Sequence, residues 1–339
     1  MTARLYSMLL ILLITLPHFI SAQSIELLTS GQAVSIRGLC PVNDQVVWVS
    51  GSRGTVGRSL DGGKTWQWTI VKGFEKTDFR DIEAFNANTA IIMGIAEPAQ
   101  ILKTTDGGNS WKVVFTDSTK GMFLDAMDFF DNKNGIVVGD PIDSKFYIAK
   151  TTNGGNTWKK TPSIMQSNAA PGEGCFASSG TNIYYFRNKD FLFVSGGTIS
   201  RVHDDAGGRS LPIVQGKEST GANSIAVRSD GPRVSNTFTI VGGDFTNDKD
   251  TTRNCVLTHD GGHTWLSPAT PPHGYRSCVI YITGKKLLSC GTSGVDLSTD
   301  SGLTWRLVSE NGFHVCRKAK KGKTVFLAGG NGKIAKLVL

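Results

Sequence analysis

The stretch Ser59-Leu60-Asp61-Gly62-Gly63-Lys64-Thr65-Trp66 recurs along the chain and decides its fold. Its pattern, Ser/Thr-x-Asp-x-Gly-x-x-Trp, returns four more times with few changes. It is typical of a hairpin turn, because the Asp side chain accepts backbone hydrogen bonds, Gly adopts positive φ, and Trp resumes a strand with its indole over the turn. The octet residues expected to be structural are Asp61, Trp66, Asp106, Trp111, Asn153, Trp158, Asp260, Trp265, Asp300 and Trp305.

Apolar strands that end in glycine accompany the octets. Ala90-Ile91-Ile92-Met93-Gly94 and Gly135-Ile136-Val137-Val138-Gly139 are examples, and seven such strands occur. Intact octets lie about 45 residues apart, enough for four short antiparallel strands with turns. The sequence therefore predicts an all-β protein, a single seven-bladed β-propeller over residues 23–339. A six-bladed ring, with unit four or unit seven misassigned, is the alternative; the copy at residues 203–210 in unit four has lost its Trp.

The two ends of the repeat region predict how the ring closes. The last unit stops at Ile334-Ala335-Lys336-Leu337-Val338-Leu339 without an octet, so its outermost strand is missing. A spare strand, Ile25-Glu26-Leu27-Leu28-Thr29, precedes the first unit. We expect this strand to complete the last blade and remove its open edge.

Residues 1–22 have the features of a signal peptide. Arg4 precedes a short apolar core, and Ile20-Ser21-Ala22 resembles a cleavage site before Gln23. An uncleaved membrane anchor is the alternative. We expect a secreted or periplasmic protein with no stable membrane insertion after cleavage, since no other apolar run is long enough to span a bilayer.

Composition limits the function classes. The chain has 339 residues, of which 39% are hydrophobic and 19% charged, so it is globular rather than disordered. The formal charge of +8 comes from scattered lysines with one short run at residues 318–323, and nucleic-acid binding is not expected. No dinucleotide fingerprint or zinc spacing occurs, so neither a cofactor nor a metal is expected.

Six cysteines remain to be explained. Cys278 and Cys290 flank the hairpin loop Thr283-Gly284-Lys285-Lys286 symmetrically, so they face each other across two strands. A disulfide there is one interpretation for an exported protein. The other is that all six are small buried strand residues.

Further motifs carry a family resemblance. The octet resembles the Asp-box, or BNR repeat, of sialidases and sortilin-type receptors. Over nearly the whole chain after residue 22, the sequence resembles bacterial exported proteins related to the photosystem II stability/assembly factor. The resemblance implies a propeller with an assembly role and brings no catalytic residues. It rests on Asp78-Phe79-Arg80-Asp81-Ile82-Glu83-Ala84-Phe85, Phe123-Leu124-Asp125-Ala126-Met127-Asp128-Phe129, Gly139-Asp140-Pro141, residues 172–181 (GEGCFASSGT), Gly242-Gly243-Asp244-Phe245 and Gly274-Tyr275-Arg276-Ser277.

One position near the start of each innermost strand is unusually polar. The neighbouring positions are apolar, so the charged residues at this one position are expected either to have a function or to fix the register of the blades. Loops that open on the same face add Arg53, Asp140 and Asp244, whereas the octets are expected on the opposite face. Alignment of the seven units gives this charged column as Arg37, Arg80, Asp125, Glu173, Ser224 (or Asn223), Arg276 and His314.

The charged column has several interpretations. It could form cross-channel salt bridges, or its arginines, Arg37, Arg80 and Arg276, could bind a small anionic ligand, a glycan or an acidic peptide end. We expect a monomeric, non-catalytic scaffold that binds a protein partner. The alternative is a carbohydrate-active enzyme, either sialidase-like or a glycosidase with paired carboxylates at Asp125 and Glu173.

Overall fold

A computed structural model describes residues 23–187, 190–228 and 235–338. The predicted signal peptide, residues 1–22, lies outside this part of the chain. The described residues form 29 strands, β1–β29, and two short 3₁₀ turns at Ser163–Met165 and Gly330–Gly332. No helix among them has the length and apolar character needed to cross a membrane.

Seven sheets form the seven predicted blades, and each is built outward from an innermost strand. The N-terminal strand is β1 (Ser24–Thr29). Blade one contains β2 (Ile36–Pro41), β3 (Val47–Gly51), β4 (Thr55–Ser59) and β5 (Gln67–Ile70). Blade two contains β6 (Phe79–Ala84), β7 (Ala90–Gly94), β8 (Ala99–Thr104) and β9 (Lys112–Asp117). Blade three contains β10 (Leu124–Phe129), β11 (Gly135–Ile142), β12 (Lys145–Thr151) and β13 (Lys159–Lys160).

The next two blades are less regular. In the sequence, β14 (Glu173–Gly174) comes after the strands of blade three and before those of blade four. Blade four contains β15 (Ile183–Tyr185), β16 (Phe191–Val194), β18 (Arg201–Asp204) and β19 (Gly207–Ser210), and β17 (Gly196–Gly197) interrupts this series. Blade five contains β20 (Thr220–Val227), β21 (Phe238–Asp244) and β22 (Cys255–Thr258), and β17 and β14 extend its sheet inward.

Blades six and seven complete the ring. Blade six contains β23 (Cys278–Thr283), β24 (Lys286–Gly291), β25 (Gly294–Ser298) and β26 (Arg306–Ser309). Blade seven contains β27 (Val315–Lys318), β28 (Val325–Ala328) and β29 (Ile334–Val338), with β1 outermost. The innermost strands of successive blades contact one another, and β27 contacts β2.

The predicted closure by the N-terminal strand is confirmed. β1 pairs antiparallel with β29 from Ser24 opposite Val338 to Thr29 opposite Ile334. Glu26 and Lys336, which are partners in this register, form an ion pair of 3.2 Å. The open edge of the last blade is thereby covered.

The hydrophobic core is divided among the gaps between blades. One cluster, for example, combines Ile91 and Met93 of blade two with Val137 and Tyr147 of blade three, all buried. Glycine-ended apolar strands are buried on both faces because every blade has a neighbour on each side, which is why they are continuous apolar runs.

Short polar side chains on the innermost strands join neighbouring blades. Asp81 accepts a 2.7 Å hydrogen bond from the backbone N–H of Met127, and Asp128 accepts one of 2.7 Å from Tyr185. Ser224 accepts one of 2.9 Å from Val279. Each bond gives a buried strand N–H an acceptor in the preceding blade, so these polar residues fix blade register.

The octet beginning at Ser59 forms a tight turn. Asp61 accepts hydrogen bonds from the Thr65 N–H at 2.9 Å and the Thr65 hydroxyl at 2.6 Å, while Gly63 donates to the Ser59 hydroxyl at 2.8 Å. The Trp66 indole donates to the Gly63 carbonyl at 3.0 Å. Hydrogen bonds from Thr65 lower the pKa of Asp61 to about 2.

The octets lie on the face opposite the entries to the innermost strands. In the first octet, Gly62 N–H donates to the Gln45 carbonyl in the β2–β3 loop at 2.9 Å, and Gly107 donates to Asn88 in blade two at 2.9 Å. We call this side the octet face and the other the channel-mouth face. In blade four, the copy at residues 203–210 is a plain hairpin in which His203 pairs with Gly208.

Candidate functional site

Residues 176–182, here called the axial segment, cross the centre of the ring. Arg37 of blade one donates to the Ser178 carbonyl at 3.1 Å, and Arg317 of blade seven donates to the Gly180 carbonyl at 2.7 Å. The Ser179 hydroxyl donates to the Ser277 carbonyl of blade six at 2.7 Å. Contacts with blades on several sides of the ring place this segment across the axis, a feature that sequence reasoning missed.

A basic cluster, Arg37, Arg80, His314 and Lys333, lies on the channel-mouth face of blades one, two and seven. The Arg80 side chain is 29% exposed, lies 3.5 Å from Asp78, and packs its guanidinium over a phenyl ring. Lys333 Nζ donates to the Gly312 carbonyl at 2.7 Å. Arg37, Arg80 and Lys333 all lie near enough to His314 for their charges to act on it, so three of the predicted column residues are together and Lys333 joins them.

The members of the basic cluster act on one another electrostatically. Burial, assisted by the charges of Arg37, Lys333 and Arg80, lowers the pKa of His314 to about 3. Burial and the charge of Arg80 also lower the pKa of Arg37. His314 is therefore neutral at physiological pH, and an anion placed here would relieve the repulsion among the cations.

Asp125 and Asp140 form an acidic pair on blade three. Both carboxylate oxygens of Asp125 are buried without a hydrogen bond of good geometry among the described residues, although the backbone N–H groups of Ala177 and Asp140 lower its pKa. Burial and the charge of Asp140 raise the pKa of Asp125 well above its usual range, although Arg80 opposes this. Asp140 accepts a 2.9 Å hydrogen bond from Cys175 N–H, and burial raises its pKa.

Glu173 does not occupy the position that the alignment predicted. It lies on β14, before the axial segment, and the innermost strand of blade four begins only at Ile183. Its carboxylate forms an ion pair with Arg201 and accepts hydrogen bonds from Ser195 at 2.5 Å and His203 at 3.0 Å. Although burial opposes ionisation, these bonds lower the pKa of Glu173 to about 2.

Arg276 is also turned away from the mouth. Its side chain is fully buried and forms an ion pair with Asp296 on the third strand of blade six, with a 2.6 Å hydrogen bond from Nε. Its Nη1 donates to Tyr275 and Ser293, both at 2.8 Å. The expected three-arginine site is not assembled, because blade six satisfies this guanidinium itself.

The remaining predicted residues have separate places. Ser224 is buried and joins blades five and six, and the alternative Asn223 accepts a 2.9 Å hydrogen bond from the Tyr275 hydroxyl. Arg53 donates to the Ala33 carbonyl. Asp244 accepts a 2.9 Å hydrogen bond from the Thr246 N–H within its own loop. These residues do not join the basic cluster.

The octet face holds a cavity that the sequence analysis did not assign. It has a volume of about 630 Å³ and is lined by Thr181 of the axial segment and by the ends of several innermost strands. Lys318, which donates to the Ile282 carbonyl at 2.9 Å, and Lys320, which pairs with Glu83, line it as well. Within the sequence, the lysine run at residues 318–323 is the feature that could have indicated this cavity.

Comparisons with known proteins support the predicted resemblance. Residues 23–119, which comprise β1 and blades one and two, match the family described as photosynthesis system II assembly factor YCF48. No curated protein sequence matches the chain.

Solved structures share the fold over nearly the full chain. A structure described as YCF48 bound to D1 peptide is 16% identical, covers 94% of this chain and 96% of its own, and has a TM-score of 0.66. YCF48 from Cyanidioschyzon merolae is 15% identical, with coverages of 92% and 98% and a TM-score of 0.66. The WD40 β-propeller domain of Doa1 is 14% identical, with coverages of 93% and 97% and a TM-score of 0.62. The chain is a seven-bladed β-propeller that resembles the photosystem II assembly factor YCF48, by sequence over residues 23–119 and by fold over nearly the full chain.

Proposed function

We propose that the protein is an exported, non-catalytic scaffold that binds a protein partner through the basic cluster on its channel-mouth face. The observation that carries the proposal is the grouping of Arg37, Arg80 and Lys333 around a neutral His314. Both arginines lie within residues 23–119, the part that matches the YCF48 family. A solved relative in fold is described as bound to a D1 peptide, which makes a peptide the first ligand to test.

The chemistry of the cluster favours a carboxylate. Guanidinium groups bind carboxylates through paired N–H donors, and these bonds are stronger than neutral ones. Burial and the charge of Arg80 lower the pKa of Arg37, which means that its positive charge is unfavourable in the free protein. An anion bound beside it would compensate this charge. We infer that the partner presents an acidic segment or a free chain end.

The test uses peptides that differ only at their carboxyl end. Pairs of acidic peptides, with a free carboxylate or an amide, are titrated against the protein by fluorescence anisotropy. We expect Arg80→Glu to weaken the binding of the free-carboxylate peptides at least about 10-fold, equivalent to about 1.4 kcal/mol. Lys64→Glu, the same charge change on the octet face, is the control and should have little effect.

Two outcomes would contradict the proposal. One is binding that is indifferent to Arg80→Glu and to amidation. The other is turnover of a sialoside or glycan that is lost on Glu173→Gln, which would favour the carbohydrate-active alternative. The burial of Arg276 against Asp296 is an argument against that alternative, because it removes one of the three arginines that a sialidase-like site requires.

A further inference from the structure

Three thiols meet in the core between blades six and seven. Cys278 on β23 lies directly opposite Cys290 on β24, and Cys316 lies on β27 of the next blade. The three sulfur atoms are within 4.8 Å of one another, and the Sγ atoms of Cys316 and Cys278 are 3.7 Å apart. The sequence analysis placed only Cys278 and Cys290 opposite each other, because Cys316 belongs to another blade.

The spacing of the sulfurs suits a single metal ion. Metal–thiolate bonds are about 2.3 Å long, so three sulfurs around one ion in a trigonal plane stand about 4 Å from each other. The 3.7 Å separation of the Cys316 and Cys278 sulfurs, and the limit of 4.8 Å for all three pairs, are compatible with that value. Small side-chain rotations would therefore bring all three sulfurs to bonding distance without moving a strand.

The surroundings determine which charges the site tolerates. All three thiols are fully buried, and burial raises the pKa of Cys290 and Cys316. Burial also opposes ionisation of Cys278, but hydrogen bonds from the other two thiols and the charge of Arg317 lower its pKa. The charge of Arg276 favours the thiolate of Cys290. The cluster is therefore enclosed, and the positive charge of Arg317 acts on it.

We propose that Cys278, Cys290 and Cys316 bind one Cu(I) ion in a trigonal thiolate site. Soft thiolates select Cu(I), zinc or iron–sulfur clusters. Structural zinc takes four ligands, and within the described residues no fourth Cys, His, Asp or Glu joins the group. Binding replaces three S–H protons, which pass to solvent, with one monovalent ion. No electron is transferred, and the complex carries two negative charges. The positive charge of Arg317 offsets part of this charge, whereas Arg276 is already paired with Asp296.

The ion would connect two blades next to the point where the ring closes. Cys316 lies on the innermost strand of blade seven, the blade that β1 completes from the other end of the chain. A ligand that binds only the folded ring raises its stability by mass action. This role goes beyond partner binding and does not depend on it.

The experiment loads the mature chain, reduced and free of oxygen, with Cu(I) supplied as its acetonitrile complex, in competition with a chromogenic Cu(I) chelator. We expect one tightly held ion per chain in the wild type and about 100-fold weaker binding in Cys316→Ala. Cys255→Ala removes a buried strand cysteine of blade five and should bind as the wild type does. The thermal midpoint should rise with Cu(I) in the wild type and in Cys255→Ala only.

A second measurement requires no variant. The copper K-edge absorption spectrum of the loaded wild type should show three sulfur neighbours, which would support the site even if Cys316→Ala failed to fold. Nitrogen or oxygen neighbours, or equal binding by a folded Cys316→Ala, would overturn the proposal. A disulfide between any two of the three cysteines in the exported protein would also overturn it, since a single thiol would remain.

Discussion

Arg80 and Arg276 occupy corresponding places in two blades, yet they have different environments. Arg276 has no exposed surface and pairs with Asp296 of its own blade, whereas the Arg80 side chain is 29% exposed and lies 3.5 Å from the exposed Asp78. The difference lies in the third strand, which supplies a buried carboxylate in blade six. A charged residue at a repeated position is therefore available for binding only where its own blade leaves it unsatisfied.

The strongest test of this contrast removes the carboxylate of blade six. Asp296→Asn leaves the Arg276 guanidinium buried without its counter-charge, and we expect a loss of about 3–5 kcal/mol in the free energy of unfolding. Asp78→Asn, the matched change beside Arg80, should cost less than about 1 kcal/mol because exposed ion pairs contribute little. Urea denaturation of both variants measures the difference.

A double variant checks the cause. Arg276→Met with Asp296→Leu removes both charges together, and most of the lost stability should return, because a buried ion pair contributes little relative to apolar residues of similar size. Equal losses in the two single carboxylate variants would show that blade six does not hold its arginine as we describe.

The axial segment is tested next, because its Ser178 carbonyl accepts a hydrogen bond from Arg37 of the basic cluster. Gly180 has a φ of 64°, and an added Cβ would lie 2.4 Å from the Asp81 carboxylate. We expect Gly180→Ala to destabilise the protein by about 1–3 kcal/mol. Gly73→Ala, at a φ of 84° with no atom within 4 Å of the added Cβ, measures the backbone cost alone. A smaller loss at Gly180 than at Gly73 would contradict the placement of this segment.

The repeat made the fold predictable, whereas the site was predictable only in part. Octets, apolar strands and the spare strand specify blade number and closure, because each is a local pattern repeated at fixed spacing. The alignment failed at Glu173, since β14 and the axial segment precede the innermost strand of blade four and shift its start. It could not place Arg276 either, because the partner Asp296 is chosen by packing within the blade.

The neutral state of His314 should appear in the pH dependence of stability. Its pKa is about 3 in the folded protein, because of burial and the charges of Arg37, Lys333 and Arg80, and about 6.5 when unfolded. Between these values the unfolded chain binds a proton that the folded chain does not, so stability falls as pH falls. At pH 5.5 this costs about 1.4 kcal/mol relative to pH 8.

His314→Asn should remove that part of the pH dependence, whereas His263→Asn on an exposed octet should keep it. Urea denaturation at pH 8 and pH 5.5 measures the change. An unaltered difference between the two pH values in His314→Asn would mean that the imidazole is not held neutral by its cationic neighbours.

The smallest expected effect concerns Arg80 itself. Arg80→Gln removes the charge but keeps much of the side chain, and because the guanidinium is partly exposed we expect the free energy of unfolding to change by less than about 0.5 kcal/mol. Losing the repulsion from Arg37 and losing the contact with Asp78 act in opposite directions, which keeps the change small. Urea denaturation beside Arg276→Gln, which should lose several kcal/mol, makes the comparison direct. A loss as large at Arg80 as at Arg276 would make the basic cluster part of the framework, and peptide binding would then have to be sought on another surface.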